Sequence, residues 1–217
     1  VIVLIGAGGY FGSEFSRLLT KQGLDYCAIT RDDKLTFESF TKFLHSRPQE
    51  IGRPVSIVIN CAAYVDQRGV DYNEQHRALT LTDNLLLPMI LTHACEATDT
   101  PLLHLSTGCL YQGDNDGRGW SEDDAPQLNV NTCGIYVASK MMAEKVVGQW
   151  AKSYICRVRL PFDGIDHPRN LLTKLQKFDR VVDETQSLTH RGDAVKAMLD
   201  MWQQGVPYGT YHLTSPR

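Results

Sequence analysis

Apolar positions alternate along the chain between short continuous runs and series at helical spacing. Residues 1–5 form a continuous run, which is typical of a parallel strand buried on both faces. From residue 9 to 21 apolar residues recur at helical spacing, and Gly23 ends this helix. The same alternation predicts strands at 25–30, 55–60, 102–106 and 154–160, and helices at 37–45, 74–97, 135–152 and 193–203, with Pro88 dividing the 74–97 stretch. We therefore predict an α/β fold with a Rossmann-like doubly wound parallel sheet.

Composition narrows the classes of partner. The chain has 217 residues, a formal net charge of -3 and no long Lys/Arg run, so we expect neither nucleic acid nor an anionic membrane as a partner. No apolar run approaches the ~20 residues that a membrane-spanning helix needs, and the opening run predicts a strand, not a signal peptide. Six scattered cysteines without a CxxC pair predict free thiols and a cytoplasmic protein. The histidines show no metal-ligand spacing, and we predict no metal site.

Three glycines separate the first predicted strand from the first predicted helix. Gly6, Gly9 and Gly12 form a GxxGxxG array at this junction. Without side chains there, backbone N–H groups at the helix N-terminus can approach a pyrophosphate. A tight turn alone would also use glycine, but the position at the first βα junction favours dinucleotide binding.

The end of the second predicted strand bears on the choice of dinucleotide. Arg31, with Lys34, follows Thr30 where an NAD site usually has an acidic residue for the ribose hydroxyls. An arginine there favours a 2′-phosphate, and hence NADP(H), with NAD(H) as the alternative. Asp32 and Asp33 come next, so a solvated charged turn stays open as a second interpretation.

A tyrosine and a lysine share one face of the helix predicted from residue 135. Tyr136 and Lys140 are four residues apart, so both can reach one ligand. An ammonium beside a phenol is expected to lower the phenol pKa and make it a usable proton donor. The pair follows a strand that ends in Ser106 and Thr107, and together these features indicate a catalytic site instead of a surface pair.

With these motifs the chain resembles the extended short-chain dehydrogenase/reductases. The resemblance rests on the glycine array, NCAA at 60–63, STGCLYQG at 106–113 and YxxxK at 136–140. Within that group the chain is most similar to reductases that complete activated L-rhamnose, on account of TGC, RVRLP, PRNLLTKL and VVD at 107–109, 157–161, 168–175 and 181–183. The resemblance implies NAD(P)H-dependent reduction of a nucleotide-linked 4-keto-6-deoxy sugar, with 3,5-epimerisation.

The resemblance also assigns residues to roles. The implied catalytic residues are Thr107, Tyr136 and Lys140 for reduction, with Cys109 and Lys174 as an acid/base pair for epimerisation. The implied cofactor residues are Gly6, Gly9, Tyr10, Phe11, Gly12, Arg31, Asn60, Ala62, Ala63, Asn84, Tyr136, Lys140 and Pro161. The implied substrate residues are Thr107, Gly108, Cys109, Arg169 and Asn170. A packed apolar thiol is the alternative role for Cys109, and a solvated helix lysine for Lys174.

The domain division and two alternatives follow from the same resemblance. We expect an NAD(P)-binding Rossmann domain at 1–160 and part of a small C-terminal substrate-binding region at 161–217, with 208–214 completing the sheet. Because such reductases continue for several dozen residues, the last part of the substrate region is expected to be missing. The alternatives are a reductase without epimerase activity and a non-catalytic NADP-binding regulatory subunit. The expected partner is a nucleotide-diphosphate sugar, and a homodimer is allowed.

Overall fold

A six-stranded sheet forms the centre of the computed structural model, which describes residues 1–30, 35–66, 68–127, 133–181, 183 and 185–215. Its strands are β1 (Ile2–Ile5), β2 (Tyr26–Ile29), β3 (Ile57–Asn60), β4 (Leu102–Thr107), β5 (Ser153–Val158) and, after two short strands, β8 (Gly209–Leu213). All neighbours are parallel, in the order β2-β1-β3-β4-β5-β8. The strand order reverses between β1 and β3, and ligands of open parallel sheets bind outside the carboxyl ends of the strands at such a point.

Helices cover both faces of this sheet. They are α1 (Tyr10–Lys21), α2 (Phe37–Ile51), α3 (Arg77–Leu81), α4 (Leu87–Ala97), α5 (Ile135–Val147), α6 (Leu171–Leu175) and α7 (Arg191–Gln203). Helices α1 and α7 pack on one face, and α2, α4 and α5 on the other. A separate two-stranded parallel ladder joins β6 (Pro161–Phe162) to β7 (Thr189–His190).

The first strand explains why its sequence is apolar without alternation. Ile2 and Leu4 pack into the core under α1 and α7, whereas Val3 and Ile5 pack into the core under α2 and α4. Successive side chains of a strand point to opposite faces, so a strand covered on both sides needs apolar residues at every position. The predicted Rossmann-like doubly wound sheet is therefore confirmed.

Two helical segments differ from the prediction. Helix α2 continues past residue 45 through Pro48 and ends before Gly52, which is left-handed at φ 67°. The predicted 74–97 helix consists of a 3₁₀ turn (Val70–His76), α3, a π turn (Thr82–Leu86) and α4. Pro88 has no N–H to donate to the carbonyl of Asn84, which accounts for the wide turn just before α4.

The C-terminal part of the chain returns to the sheet. Strand β8 pairs along β5, from Gly209 beside Tyr154 to Leu213 beside Val158. All six cysteines are free thiols. Among the described residues, no helix combines the length and apolar character needed to cross a membrane.

Candidate active site

A cleft of about 800 Å³ opens at the carboxyl ends of the central strands, where the strand order reverses. The turn after β1, the segment after β3, the end of β4, the start of α5 and the region around α6 contribute to its wall. The site residues predicted from the sequence that line it are Gly6, Gly9, Tyr10, Phe11, Ala62, Ala63, Thr107, Cys109, Tyr136, Lys140, Pro161, Arg169 and Lys174. Folding thus places segments more than 160 residues apart in sequence around one space.

The glycine turn has the features of an anion site. Gly6 has a φ of +79°, and a Cβ atom on it would lie 2.8 Å from the backbone N and Cα of Ala62. Gly9 is the N-cap of α1 without a side-chain cap, and the first turn has no acidic residue. The N–H groups of that turn are therefore left for an external acceptor, and the helix dipole favours a negative one. A dinucleotide pyrophosphate fits this turn.

Gly12 lies behind the turn and sets its packing. A Cβ atom on Gly12 would come within 2.1 Å of the Gly6 carbonyl oxygen and 2.8 Å of the Ala7 Cα. Gly12 is buried, and its role here is to let α1 approach the turn after β1. Because Gly12 acts through the position of α1, any contribution that it makes to cofactor binding is indirect.

Thr107 and Tyr136 meet at the end of β4. Thr107 is buried, its hydroxyl oxygen accepts the backbone N–H of Cys109 at 3.1 Å, and its side chain lies near enough to the Tyr136 phenol to lower the phenol pKa. Burial raises the pKa of Tyr136 above its ordinary value, and the nearby Cys109 acts in the same direction. Tyr136 is thus a neutral phenol with its proton available.

The lysine of the YxxxK motif has different partners from those expected. Lys140 is 2 % exposed, and its Nζ donates to the carbonyl of Leu105 at 2.6 Å and lies 3.4 Å from Nε2 of His104. Burial lowers the Lys140 pKa to about 8. The expectation that Lys140 lowers the Tyr136 pKa is wrong for this structure, because burial dominates at Tyr136 and Lys140 is not among the charges that shift it.

Cys109 and Lys174 both line the cleft. Cys109 lies in the one-turn 3₁₀ segment after β4, and Lys174 lies in α6. Burial lowers the Lys174 pKa, and the charges of Arg169 and Lys177 lower it further. Arg169 lines the same wall, with its guanidinium donating to the Val65 carbonyl at 3.1 Å.

Four predicted site residues support the cleft from behind its lining. Asn60 is fully buried and accepts the backbone N–H of Ala62 at 3.1 Å. Asn84, in the π turn, accepts the N–H of Tyr64 at 2.7 Å and donates to the Tyr64 carbonyl at 3.0 Å. The carbonyl of Gly108 accepts from Arg159, and Asn170 caps α6 while its amide donates to Asp163 and Ile165.

The predicted selector of the dinucleotide falls outside the described residues. Arg31 and Lys34 belong to the segment 31–34, which the structure does not describe. Thr30, the last described residue before that segment, lines the cleft, and so does Leu35 after it.

Two buried ion clusters were not predicted from the sequence. Arg157 of β5 pairs with Glu144 of α5 at 2.7 Å, and the Ser106 hydroxyl also donates to that carboxylate. Glu144 follows Lys140 by four residues, a spacing that indicates a further polar residue on the same helix face. Arg191 pairs with Asp163 at 2.5 Å and donates to the Tyr10 carbonyl at 2.7 Å, and neither contact has a local sequence signal.

The comparison with protein families agrees with this geometry. The RmlD substrate binding domain matches residues 1–217. The chain belongs to that family. The predicted resemblance to nucleotide-rhamnose reductases is therefore confirmed.

Curated relatives of this RmlD family member are longer than it. The bifunctional dTDP-4-dehydrorhamnose 3,5-epimerase/dTDP-4-dehydrorhamnose reductase of Arabidopsis thaliana is 25 % identical over 99 % of the chain and 69 % of its own length. A dTDP-4-dehydrorhamnose reductase of Mycobacterium tuberculosis is 29 % identical over 94 % of the chain and 66 % of its own length. The chain spans about a third of the trifunctional UDP-rhamnose enzymes of Arabidopsis thaliana.

Solved structures share the fold. The L780 UDP-rhamnose synthase of Acanthamoeba polyphaga mimivirus superposes with a TM-score of 0.83 at 23 % identity, covering 99 % of this chain and 75 % of that one. A dTDP-4-dehydrorhamnose reductase of Bacillus anthracis in complex with NADP gives 0.80 at 23 % identity, covering 100 % of this chain and 74 % of that one. Both likenesses support the Rossmann-like architecture of the RmlD family member.

Proposed function

We propose that this protein is an NAD(P)H-dependent reductase of a nucleotide-linked 4-keto-6-deoxy sugar. The observation that carries the proposal is the single cleft in which the uncapped glycine turn and the Thr107–Tyr136–Lys140 group share one space. A pyrophosphate site and a proton donor on one wall are what hydride transfer to a ketone needs. The family's relatives act on dehydrorhamnose nucleotides or make UDP-rhamnose, which supports this class of substrate.

In the proposed reduction the protein supplies the proton. When bound, the dinucleotide supplies a hydride to sugar carbon 4. Tyr136, kept neutral by burial, donates its phenolic proton to the ketone oxygen, and Thr107 orients that phenol. Lys140 holds the nicotinamide ribose, and the first turn of α1 holds the pyrophosphate.

NADP(H) is the favoured cofactor, and NAD(H) is the alternative. Two related structures are complexes with NADP or NADPH, and two structures of another related protein are complexes with NAD. The preference for NADP(H) depends on Arg31, whose guanidinium would bind the 2′-phosphate. In titrations, Arg31→Ala should weaken NADPH and leave NADH binding nearly unchanged, whereas equal effects on both would point to NAD(H).

We extend the proposal to 3,5-epimerisation by Cys109 and Lys174. A ketone at carbon 4 acidifies the hydrogens on carbons 3 and 5, so inversion needs one group to remove a proton and another to return one on the opposite face. The resulting enolate oxygen would accept hydrogen bonds from Thr107 and Tyr136. Support comes from the position of both residues on the cleft wall and from the lowered Lys174 pKa.

The reductive role is tested by removal of the phenol. Tyr136→Phe should reduce kcat by ~100-fold or more while cofactor affinity is retained, because a positioned acid is lost and the binding turn is intact. Stopped-flow oxidation of NADPH with the 4-keto sugar nucleotide measures the first quantity, and fluorescence titration the second. Near-normal turnover would contradict the mechanism. Absence of turnover in the wild type, with tight NADPH binding, would favour the regulatory-subunit alternative.

Epimerisation is tested separately from reduction by solvent deuterium exchange at carbons 3 and 5 without NADPH. Cys109→Ser and Lys174→Ala in the full-length protein should lose exchange while they still reduce a ketone that has already been epimerised. Exchange that persists in both variants would leave a reductase without epimerase activity. Lys42→Ala, which removes an exposed lysine of α2 outside the cleft lining, is the matched control.

Three further predictions accompany the function. We propose a cytoplasmic location, a nucleotide-diphosphate sugar as the small-molecule partner and the division into 1–160 and 161–217. Exchange of uridine for thymidine in the substrate, measured by calorimetry, would identify the nucleotide. Sedimentation of the full-length protein would test the homodimer.

A further inference from the structure

A buried chain of polar groups runs from the cofactor segment after β3 to the catalytic lysine. It begins at the backbone N–H of Ala62, passes through Asn60 and His104, and ends at Lys140. Asn60 and His104 are each 0 % exposed and Lys140 is 2 % exposed. Polar groups buried this deeply are almost always hydrogen-bonded, and the partners seen here are other groups of the chain.

The direction of the first links is fixed by chemistry. A backbone N–H can only donate, so Asn60 must turn its carbonyl oxygen to Ala62, at 3.1 Å. The amide nitrogen of Asn60 then faces His104 Nδ1 at 3.0 Å and is a donor there. Nδ1 must therefore accept. A flipped Asn60 amide would set two donors against each other at Ala62.

This direction assigns the proton of the imidazole. Burial, together with the charge of Lys140, holds the pKa of His104 well below its ordinary value, so the ring is neutral. A neutral imidazole that accepts at Nδ1 carries its hydrogen on Nε2. That N–H lies 3.4 Å from Nζ of Lys140. An ammonium has three donors and no acceptor, whereas a neutral amine has one lone pair that can accept.

We propose that His104, oriented by Asn60, is a positioning residue that presents a ring N–H to Lys140 and thereby favours the neutral amine over the ammonium. The amine accepts from His104 Nε2–H and donates to the Leu105 carbonyl, which satisfies both of its contacts. An ammonium has only N–H donors, so one of its N–H bonds would face the imidazole N–H and neither group could accept. The two protonation states of Lys140 thus differ by one hydrogen bond that only the amine can make.

The other titratable groups near Lys140 do not reverse this preference. Cys61, after β3, and Glu144, on α5, both raise the Lys140 pKa. Glu144 already neutralises Arg157 and accepts from Ser106. Burial is the largest influence and acts with the imidazole, so the Lys140 pKa is lowered to about 8.

A consequence for turnover rests on the proposed function. After Tyr136 has given its proton to the ketone, a phenolate is left that must regain a proton. In the proposed reduction Lys140, which lines the same cleft as Tyr136, returns this proton, and a lysine with a lowered pKa can lose and regain a proton more readily than a permanent ammonium. His104 thereby sets the pH at which the acid is restored.

The first test needs no substrate, and it uses the His104→Gln variant only to identify the His104 signals. A long-range ¹H–¹⁵N spectrum of the full-length protein, with His104 identified by its loss in His104→Gln, reports which ring nitrogen carries the hydrogen. We expect Nε2–H. A hydrogen on Nδ1, or a doubly protonated ring at pH 7, would overturn the proposal whether or not the protein is a reductase.

The second test reverses the direction of the hydrogen bonds between residue 60, His104 and Lys140. Asn60→Asp places an acceptor at Nδ1, so the imidazole hydrogen should move to Nδ1 and Nε2 should accept from the ammonium. The proton affinity of Lys140, followed by the ¹³Cε shift of labelled lysine against pH, should rise at least ~10-fold. Asn60→Asp in the His104→Gln background measures the direct effect of the added carboxylate. Equal shifts of Lys140 in both backgrounds would overturn the role of His104.

A pH profile of kcat/KM then tests whether the contact between His104 and Lys140 affects activity. In His104→Gln an amide oxygen can replace the ring N–H beside Lys140, so the alkaline limb of kcat/KM should move to higher pH. If the tautomer is Nε2–H but the wild type has no reductase activity, the proposed function fails and the role of His104 in positioning the proton stands.

Discussion

The two sides of the cleft are held together by different forces. On the glycine side, defined here as residues 6–12 and 60–64, backbone atoms touch directly, with Gly6 against Ala62 and Gly12 against Gly6. On the polar side, defined here as the described residues within 159–191, contacts between buried side chains hold the structure together, as in the ion pair of Asp163 with Arg191. The first arrangement depends on the absence of side chains, whereas the second depends on long side chains that meet from distant positions. The two sides should therefore fail under different substitutions.

The largest effect is expected from loss of a charge on the polar side. Arg191→Met leaves the buried carboxylate of Asp163 without its cation, whereas Glu14 keeps its pair with Arg17. Breaking such a pair from one side typically costs ~3–5 kcal/mol, which we expect as the decrease in the free energy of unfolding in urea. Arg53→Met is the control, because Arg53 pairs with Asp25 on the exposed surface, and such pairs contribute ~0–1 kcal/mol. Equal losses in the two variants would show that burial of the Arg191 cluster is unimportant.

The next effect concerns the glycine side. Gly12→Ala places a methyl group 2.1 Å from the Gly6 carbonyl, so α1 must move away from the turn. Overpacking of this kind typically costs ~1–3 kcal/mol, and dinucleotide affinity should fall with it. Gly164→Ala adds the same atom where no group lies within 4 Å and outside the cleft lining, and should change neither quantity measurably. Thermal unfolding and NADPH titration of both variants provide the comparison. An unchanged affinity in Gly12→Ala would mean that the turn tolerates a shift of α1.

The smallest effect on stability is expected from the loss of a helix cap outside the cleft. Thr36 caps α2, with its hydroxyl oxygen accepting the Ser39 N–H at 3.1 Å in an exposed capping box. Thr36→Ala should lower the free energy of unfolding by ~1 kcal/mol and leave dinucleotide binding unchanged. Lys42→Ala, on the exposed part of the same helix, should have almost no effect. A loss of binding in Thr36→Ala would indicate that the glycine side is coupled to α2.

The glycine side was predictable because its signals are local. An apolar run followed by Gly6, Gly9 and Gly12 specifies a strand, a turn and a helix within twelve residues. The spacing of Tyr136 and Lys140 likewise placed both on the cleft wall. In each case the geometry follows from one element and its period.

The polar side and the state of Lys140 were not predictable in this way. Arg191 meets Asp163 across 28 positions, and no periodicity connects an arginine to a carboxylate at that distance. The amine of Lys140 contacts β4, so its partner depends on how deeply α5 sits on the sheet. The sequence spacing therefore placed the lysine correctly but predicted the wrong influence on Tyr136, since burial is a property of the whole fold.

The π turn before α4 determines which side chains line up along the helix. Thr80, Asn84 and Pro88 are all buried, although each follows the last by four residues. In a regular α-helix, with 3.6 residues per turn, a spacing of four rotates each successive side chain by about 40°. One wide turn absorbs this rotation and keeps all three in a single row against the protein interior. Asn84 lies within this wide turn, and both ends of its amide hold the backbone of Tyr64.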